Sequence, residues 1–163
     1  MKYIVLTLLF VLLFCGISIA QVTASATAMG SFSVLGYATV TRLADLNFGD
    51  LIVGVNTTVL PTDAKAAEFL FNGSNNTVVQ VTLTYPSDLT CGSNTMIFHE
   101  INAIYNTIPD ATTAIEFKKK TGGSASTGPD GNLYVWVGGR VTANNNQAAG
   151  SYTGIMQIEI VQP

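Results

Sequence analysis

The chain has 163 residues, of which 48% are hydrophobic and 10% are charged, and its formal net charge at pH 7 is −3. This length suits one domain with a real hydrophobic core. A net negative charge argues against binding of nucleic acid, which requires a basic surface. The low charge and the many Thr, Asn, Gly and Ser residues are typical of extracellular β-proteins, whose turns and solvent-facing positions are polar but uncharged.

Residues 1–20 predict a secretory signal peptide. Lys2 gives a positively charged start, Ile4 to Phe14 is almost unbroken apolar sequence, and Ser18-Ile19-Ala20 places small residues where signal peptidase cleaves. The alternative is an uncleaved anchor, because the stretch from Tyr3 to Ala20 is just long enough to span a bilayer, but no basic cluster follows it. We therefore expect cleavage before Gln21. The protein would then be secreted or displayed on the bacterial surface by way of the periplasm, with no remaining membrane span.

Residues 21–34 are predicted to form an extended N-terminal arm. From Val22 to Val40, small or apolar residues at even positions alternate with mostly Thr and Ser at odd positions. At about 3.3 Å per residue this segment would reach about 63 Å, whereas a usual strand covers about 17 to 20 Å. Either the segment bends, at Gly30 or Gly36, and gives two strands to its own domain, or its first half adds a strand to a neighbouring subunit. The residues that would fill the neighbour's groove are Val22, Ala24, Ala26, Ala28, Phe32 and Val34.

Residues 35–163 are predicted to form an all-β domain. Apolar and polar residues alternate in several segments, including Val79 to Tyr85, Leu133 to Val137 and Tyr152 to Ile160. Turn residues such as Pro129-Asp130-Gly131 separate these segments, and no window has the pattern of an amphipathic helix of ten or more residues. Many short strands separated by turns predict a two-sheet antiparallel sandwich of immunoglobulin-like or pilin-like type.

Two motifs resemble a known family. An early L-x-F-G motif and a late Q-x-x-G-x-Y-x-G motif occur in the order and spacing found in bacterial secreted domains without assigned activity, which are related to spore-coat-protein-U-type pilins of chaperone–usher systems. The similarity runs from about Ala38 to Val161. We expect folding roles for the matching residues: a core plug, tight turns, close backbone approaches and an anchor for the last strand. They are Leu46, Phe48, Gly49, Gly138, Gln147, Gly150, Tyr152 and Gly154.

The resemblance implies a pilin-like structural subunit of a fimbrium or another extracellular polymer with a role in adhesion. Such a subunit would assemble by strand exchange through the arm. Its partners would be copies of itself or related subunits, with a periplasmic chaperone and an usher. The chain departs from that pattern because Cys91 is its only cysteine after signal cleavage, which leaves no internal disulfide, and because it ends in Val161-Gln162-Pro163 without the aromatic residue near the C-terminus. We expect Cys91 to be a small, semi-buried residue.

The sequence contains no recognisable constellation for catalysis or metal binding, so we expect neither enzymatic activity nor a cofactor. His99 is the single histidine, and its neighbour Glu100 should point to the opposite face of a strand. The alternative function is a self-contained secreted binding module. In that case Tyr134 and Trp136, which share one face of a strand, would stack against a carbohydrate, although a Trp between packed elements has the same pattern.

Overall fold

The computed structural model describes residues 22–33 and 38–162, with side chains described for 22–30 and 38–162. The predicted signal peptide and Val34 lie outside the described residues. Within them the chain forms one 3-10 turn, Ala111–Thr113, and otherwise strands and loops. The strands are β1 (Val22–Ser33), β2 (Thr39–Ala44), β3 (Leu46–Leu51), β4 (Asn56–Val59), β5 (Ala67–Asn72), β6 (Val78–Thr84), β7 (Asp88–Cys91), β8 (Asn94–Asn106), β9 (Ile115–Glu116), β10 (Gly122–Ser126), β11 (Asn132–Thr142) and β12 (Gly150–Val161).

The expected all-β fold is confirmed, but a division into two separate sheets is not observed. Backbone pairing joins the twelve strands into one sheet, which curves into a nearly closed barrel. Eight strands follow one another in the order β10-β6-β12-β7-β8-β11-β5-β2, while β1 pairs with β12 and β3, β4 with β11, and β9 with β8. The long strands explain this connectivity, because each is long enough to pair with different neighbours at its two ends. Strand β11, for example, pairs with β5 through residues 132–137 and with β4 through residues 139–142. No described residue belongs to a helix long and apolar enough to cross a membrane.

The N-terminal segment adopts the first of its two expected arrangements, because β1 is a strand of its own domain. Every residue of β1 pairs in parallel with β12, and Val22–Ala26 also pair antiparallel with β3. In the described part β1 therefore belongs to the same sheet as the later strands, and the division into an arm at residues 21–34 and a domain from residue 35 stays a prediction. Strand β1 ends at Ser33 and β2 starts at Thr39. Strand β1 runs through Gly30 without interruption, and Gly36 lies outside the described residues.

The residues of the two sequence motifs lie at packed positions. Leu46, Phe48 and Tyr152 are buried in the core, and the Tyr152 hydroxyl donates a hydrogen bond of 2.8 Å to the carbonyl of Ala148. Gly49 has a φ of 70°, which favours glycine. The remaining motif residues are placed by close contacts: Gly138 against the backbone of Val59, Gly150 against Cys91, Gly154 against Leu89, and Gln147 through a bond of 3.0 Å to the Thr95 carbonyl.

His99 and Glu100 do not diverge as expected. Strand β8 has an extra residue opposite Gly139, and Glu100 at this bulge has a φ of 52°. The bulge turns both side chains to one side, so that His99 Nδ1 lies 3.8 Å from Glu100 Oε1. Glu100 also pairs with Arg140, whose Nη1 lies 3.0 and 3.1 Å from its two carboxylate oxygens. The alternation rule is wrong here because it holds only for a regular strand.

Candidate strand-docking groove

Strand β1 fills a groove between β12 on one side and β3 on the other. We call this space the docking groove; its walls are the strand edges Gly150–Val161 and Leu46–Leu51. The even-numbered side chains of β1 point into it and are almost fully buried, with exposures of 0–2% for Val22, Ala24, Ala26 and Ala28. The backbone of Phe32 pairs opposite Ile160, while its side chain lies outside the described part.

The two sequence motifs meet across β1. Ala24 lies opposite Gly49 on β3 and opposite Tyr152 on β12. Ala26 lies opposite Leu46 and Gly154 in the same way. The motifs are about one hundred residues apart in the sequence, so their shared role as walls of the docking groove is visible only in the fold. Sequence analysis assigned them folding roles and missed this convergence.

The attachment of β1 depends mainly on its backbone. Three of its four buried described side chains are alanines, and a buried methyl group contributes about 0.8 kcal/mol against about 1.5–3 kcal/mol for a buried Leu side chain. Backbone hydrogen bonds contribute about 0.5–1.5 kcal/mol each, and β1 pairs along twelve positions with β12. Recognition through backbone bonds, with small side chains in a narrow groove, is the physical basis of strand addition.

Two charged side chains bind β1 next to the first residue of β3, Leu46. Beyond Ala26 the chain on this side turns away at Asp45, because β2 pairs with β5 and not with β1. Ala28 is bonded there by side chains: Asp45 Oδ1 accepts from its N–H at 3.1 Å, and Arg42 Nη1 donates to its carbonyl at 3.3 Å. Arg42 and Asp45 are themselves paired, with 3.0 Å between Nη1 and Oδ1. We call this pair the Arg42–Asp45 clip.

The clip replaces a missing strand neighbour. A further residue of β3 would offer one N–H and one carbonyl to Ala28, and the clip offers one acceptor and one donor instead. Sequence analysis did not identify Arg42, because the partner of its side chain is a backbone group, which any residue has. Two residues farther along β1, a side chain at Gly30 would place its Cβ 2.9 Å from Val40 Cγ1. Strand β1 therefore approaches β2 closely at a position occupied by glycine.

The expected carbohydrate platform is largely covered. The rings of Tyr134 and Trp136 do share a face and stack, with centroids 5.9 Å apart and an interplanar angle of 16°. Trp136, however, is only 6% exposed and lines a small cleft with Asp63 and Pro109. A sugar ring needs an open aromatic face for stacking, and Trp136 does not offer one.

A larger cleft lies between the edges of β9 and β10. It has a volume of about 660 Å³ and contains Tyr105 together with polar side chains from both sides, including Gln80, Glu116, Lys118 and Ser124. The Tyr105 ring packs against Phe117 with centroids 4.6 Å apart. Among the described residues no group of three or more His, Cys, Asp or Glu side chains is placed to hold a metal ion.

Comparison with known proteins gives one family. Residues 38–161 match a family described as "Domain of unknown function (DUF4402)". This range contains β2 to β12, and so both walls of the docking groove and the Arg42–Asp45 clip, but not β1. No curated protein matches the chain. Neither finding tests the resemblance to spore-coat-protein-U-type pilins, which stays a prediction.

Proposed function

Because the chain belongs to the DUF4402 family, whose description names no function, we propose a function from the docking groove: the protein is a structural subunit of a bacterial surface appendage or extracellular polymer. In the polymer, β1 of one copy fills the docking groove of the next. The observation that carries the proposal is that β1, the first described strand, pairs with β12 along its length and with β3 through residues 22–26, in a groove built entirely by residues of the family domain. The pilin-like resemblance agrees with it.

Exchange of β1 between copies preserves its contacts. A second copy supplies an identical strand, so the same backbone bonds and the same buried alanines are available in the swapped arrangement. The free energy of the assembly then differs from that of the closed monomer mainly through the connection at residues 34–38 and the entropy of association. Domain swapping of this kind is a low-cost route to oligomers.

The closed monomer, in which β1 fills its own docking groove, is the proposed form of the protein before assembly. With β1 in its own groove, β1 covers the facing edges of β12 and β3, which would otherwise be available for pairing with another chain. Assembly requires β1 to leave first, and a periplasmic chaperone and an outer-membrane usher are the partners we propose for that step. In the assembled form, the two halves of the barrel would correspond to the two sheets of a pilin-type sandwich.

A mixing experiment with single cysteines tests the exchange. Thr23 and Asp50 are directly paired between β1 and β3, a geometry that suits a disulfide. One protein carries Thr23→Cys, the other carries Asp50→Cys, and both carry Cys91→Ser. After incubation at high concentration, oxidation should give the cross-linked heterodimer, because only exchange brings the two cysteines together.

The control pairs Thr23→Cys with Thr58→Cys, which lies on β4 and pairs with β11. This mixture should give no more cross-link than chance collision. If the Thr23 and Asp50 variants also give only that level after long incubation and after refolding from denaturant, the strand-exchange function is wrong.

A secreted binding module is the second function that we propose, and the cleft at Tyr105 supports it better than Trp136 does. Carbohydrate sites combine an aromatic ring with amide and hydroxyl groups, and this cleft has Tyr105 with Gln80 and Ser124. We expect Gln80→Ala to abolish chemical-shift changes produced by a panel of soluble oligosaccharides, and Trp136→Phe to leave them unaltered. Absence of shifts at the cleft with every sugar would eliminate this second function.

A further inference from the structure

We propose that the Arg42–Asp45 clip controls the release of β1 from the docking groove, an inference that rests on the strand-exchange function proposed above. The partner is a second copy of this chain. The clip is suited to this role because both of its hydrogen bonds to β1 go to the backbone of one residue, Ala28.

The position of the clip determines its effect on release. Residues 22–26 of β1 have strand neighbours on both edges, whereas beyond Ala26 the pairing continues with β12 only. Separation of β1 from the domain is therefore easiest in this second half, next to the connection with β2. The clip bonds Ala28 at the boundary between the two halves, so it must open before separation can spread towards Val22.

Exposure allows the clip to open without unfolding of the core. The side chains of Arg42 and Asp45 are each 44% exposed, so water and dissolved ions compete for both charges. Buried apolar contacts of β1, by contrast, are lost only when the strand leaves. The clip is thus the part of the attachment that ionic strength weakens most.

The clip is compatible with the observed register of β1, and Gly30 excludes the register that is shifted by two residues towards β2. Along a strand only every second residue turns its N–H and carbonyl to the same edge, so a shift by one residue would present these groups to β12 instead. A shift by two residues that placed Ala26 at the clip would bring Ala28 to the position of Gly30. The Ala28 methyl would then lie about 2.9 Å from Val40 Cγ1, which is too close for carbon atoms.

The test measures how fast β1 opens, with and without the clip. We compare the wild-type chain with Asp45→Asn and Arg42→Gln. The control is Arg140→Gln, which removes another partly exposed ion pair, that with Glu100, far from the groove in the pairing scheme. The first readout is hydrogen exchange of β1 amides in the monomer, and the second is the rate of heterodimer cross-linking between the Thr23→Cys and Asp50→Cys proteins.

We expect each clip variant to raise both rates about tenfold, as loss of a charge-assisted hydrogen bond predicts, while Arg140→Gln leaves them unchanged. Salt at 0.5 M should accelerate wild-type opening more than opening of the variants. If the clip variants open β1 no faster than Arg140→Gln does, the inference is wrong. If no protein cross-links but the clip variants still accelerate amide exchange, the clip controls release and the strand-exchange function fails instead.

Discussion

Replacement of Ala26 by Asp should displace β1 from the docking groove. Ala26 is fully buried, between Leu46 on β3 and Gly154 on β12, and no cationic group of the clip reaches it in the observed register. An unpaired buried charge costs about 3–5 kcal/mol, a large part of the total stability of about 5–15 kcal/mol of a domain. We therefore expect Ala26→Asp to lower Tm by roughly 10 °C, and to abolish the cross-linking in mixtures that reports exchange.

The neighbouring residue provides a matched control. Thr27 follows Ala26 on the same strand but is exposed, opposite the exposed Ile155. The Thr27→Asp variant adds the same charge one residue away and should change the stability by no more than about 0.5 kcal/mol. Thermal unfolding and hydrogen exchange of the β1 amides distinguish the two variants. Equal effects of the two substitutions would show that Ala26 is not inside the groove.

The regular strands were predictable because their pattern is local. Alternation over Val79 to Tyr85 corresponds to β6, and alternation over Leu133 to Val137 lies inside β11. Each pattern directly records which side chains face the core, since burial in β6 alternates residue by residue. What the pattern does not contain is the partner of each strand. The single connected sheet could not be derived for that reason.

The N-terminal segment shows this limit most clearly. The alternating pattern from Val22 to Val40 extends over more than one strand, because β1 covers Val22–Ser33 and β2 starts at Thr39. Its location depends on contacts with β12, whose first residue lies more than one hundred positions away along the chain. A parallel pairing of the first and last strands leaves no local signature, so the two alternatives for the arm were equivalent at the level of sequence.

The side chains outside regular pairing were the least predictable. Glu100 has a positive φ because it lies in a bulge, where β8 has one residue more than β11 between two paired positions. The sequence of neither strand indicates this extra residue. Arg42 and Asp45 bond a backbone group, which is not encoded by residue type. A site made from alternating small residues and backbone bonds therefore requires the fold for its recognition, whereas a catalytic or metal site has characteristic residues.

Removal of β1 should leave a domain that folds stably only when a strand is supplied. The chain that starts at residue 38 retains the family range but exposes the facing edges of β12 and β3 and the core side chains that β1 covers. We expect it to aggregate or to unfold at a markedly lower temperature than the chain that starts at residue 21. Refolding in the presence of a synthetic peptide of residues 21–34 should restore a monomeric complex, whose Tm rises with peptide concentration because binding to the folded state stabilises it.

A second peptide separates groove binding from unspecific association. It has Asp in place of Ala24, Ala26 and Ala28, the residues buried in the groove, and it should not restore folding because three carboxylates would have to enter the core unpaired. Isothermal titration and thermal unfolding measure both peptides. A truncated chain that is monomeric and as stable as the full chain without peptide would mean that the docking groove closes by itself. Binding of β1, whether from the same copy or from another, would then contribute no free energy to folding, and the docking groove would not need a strand.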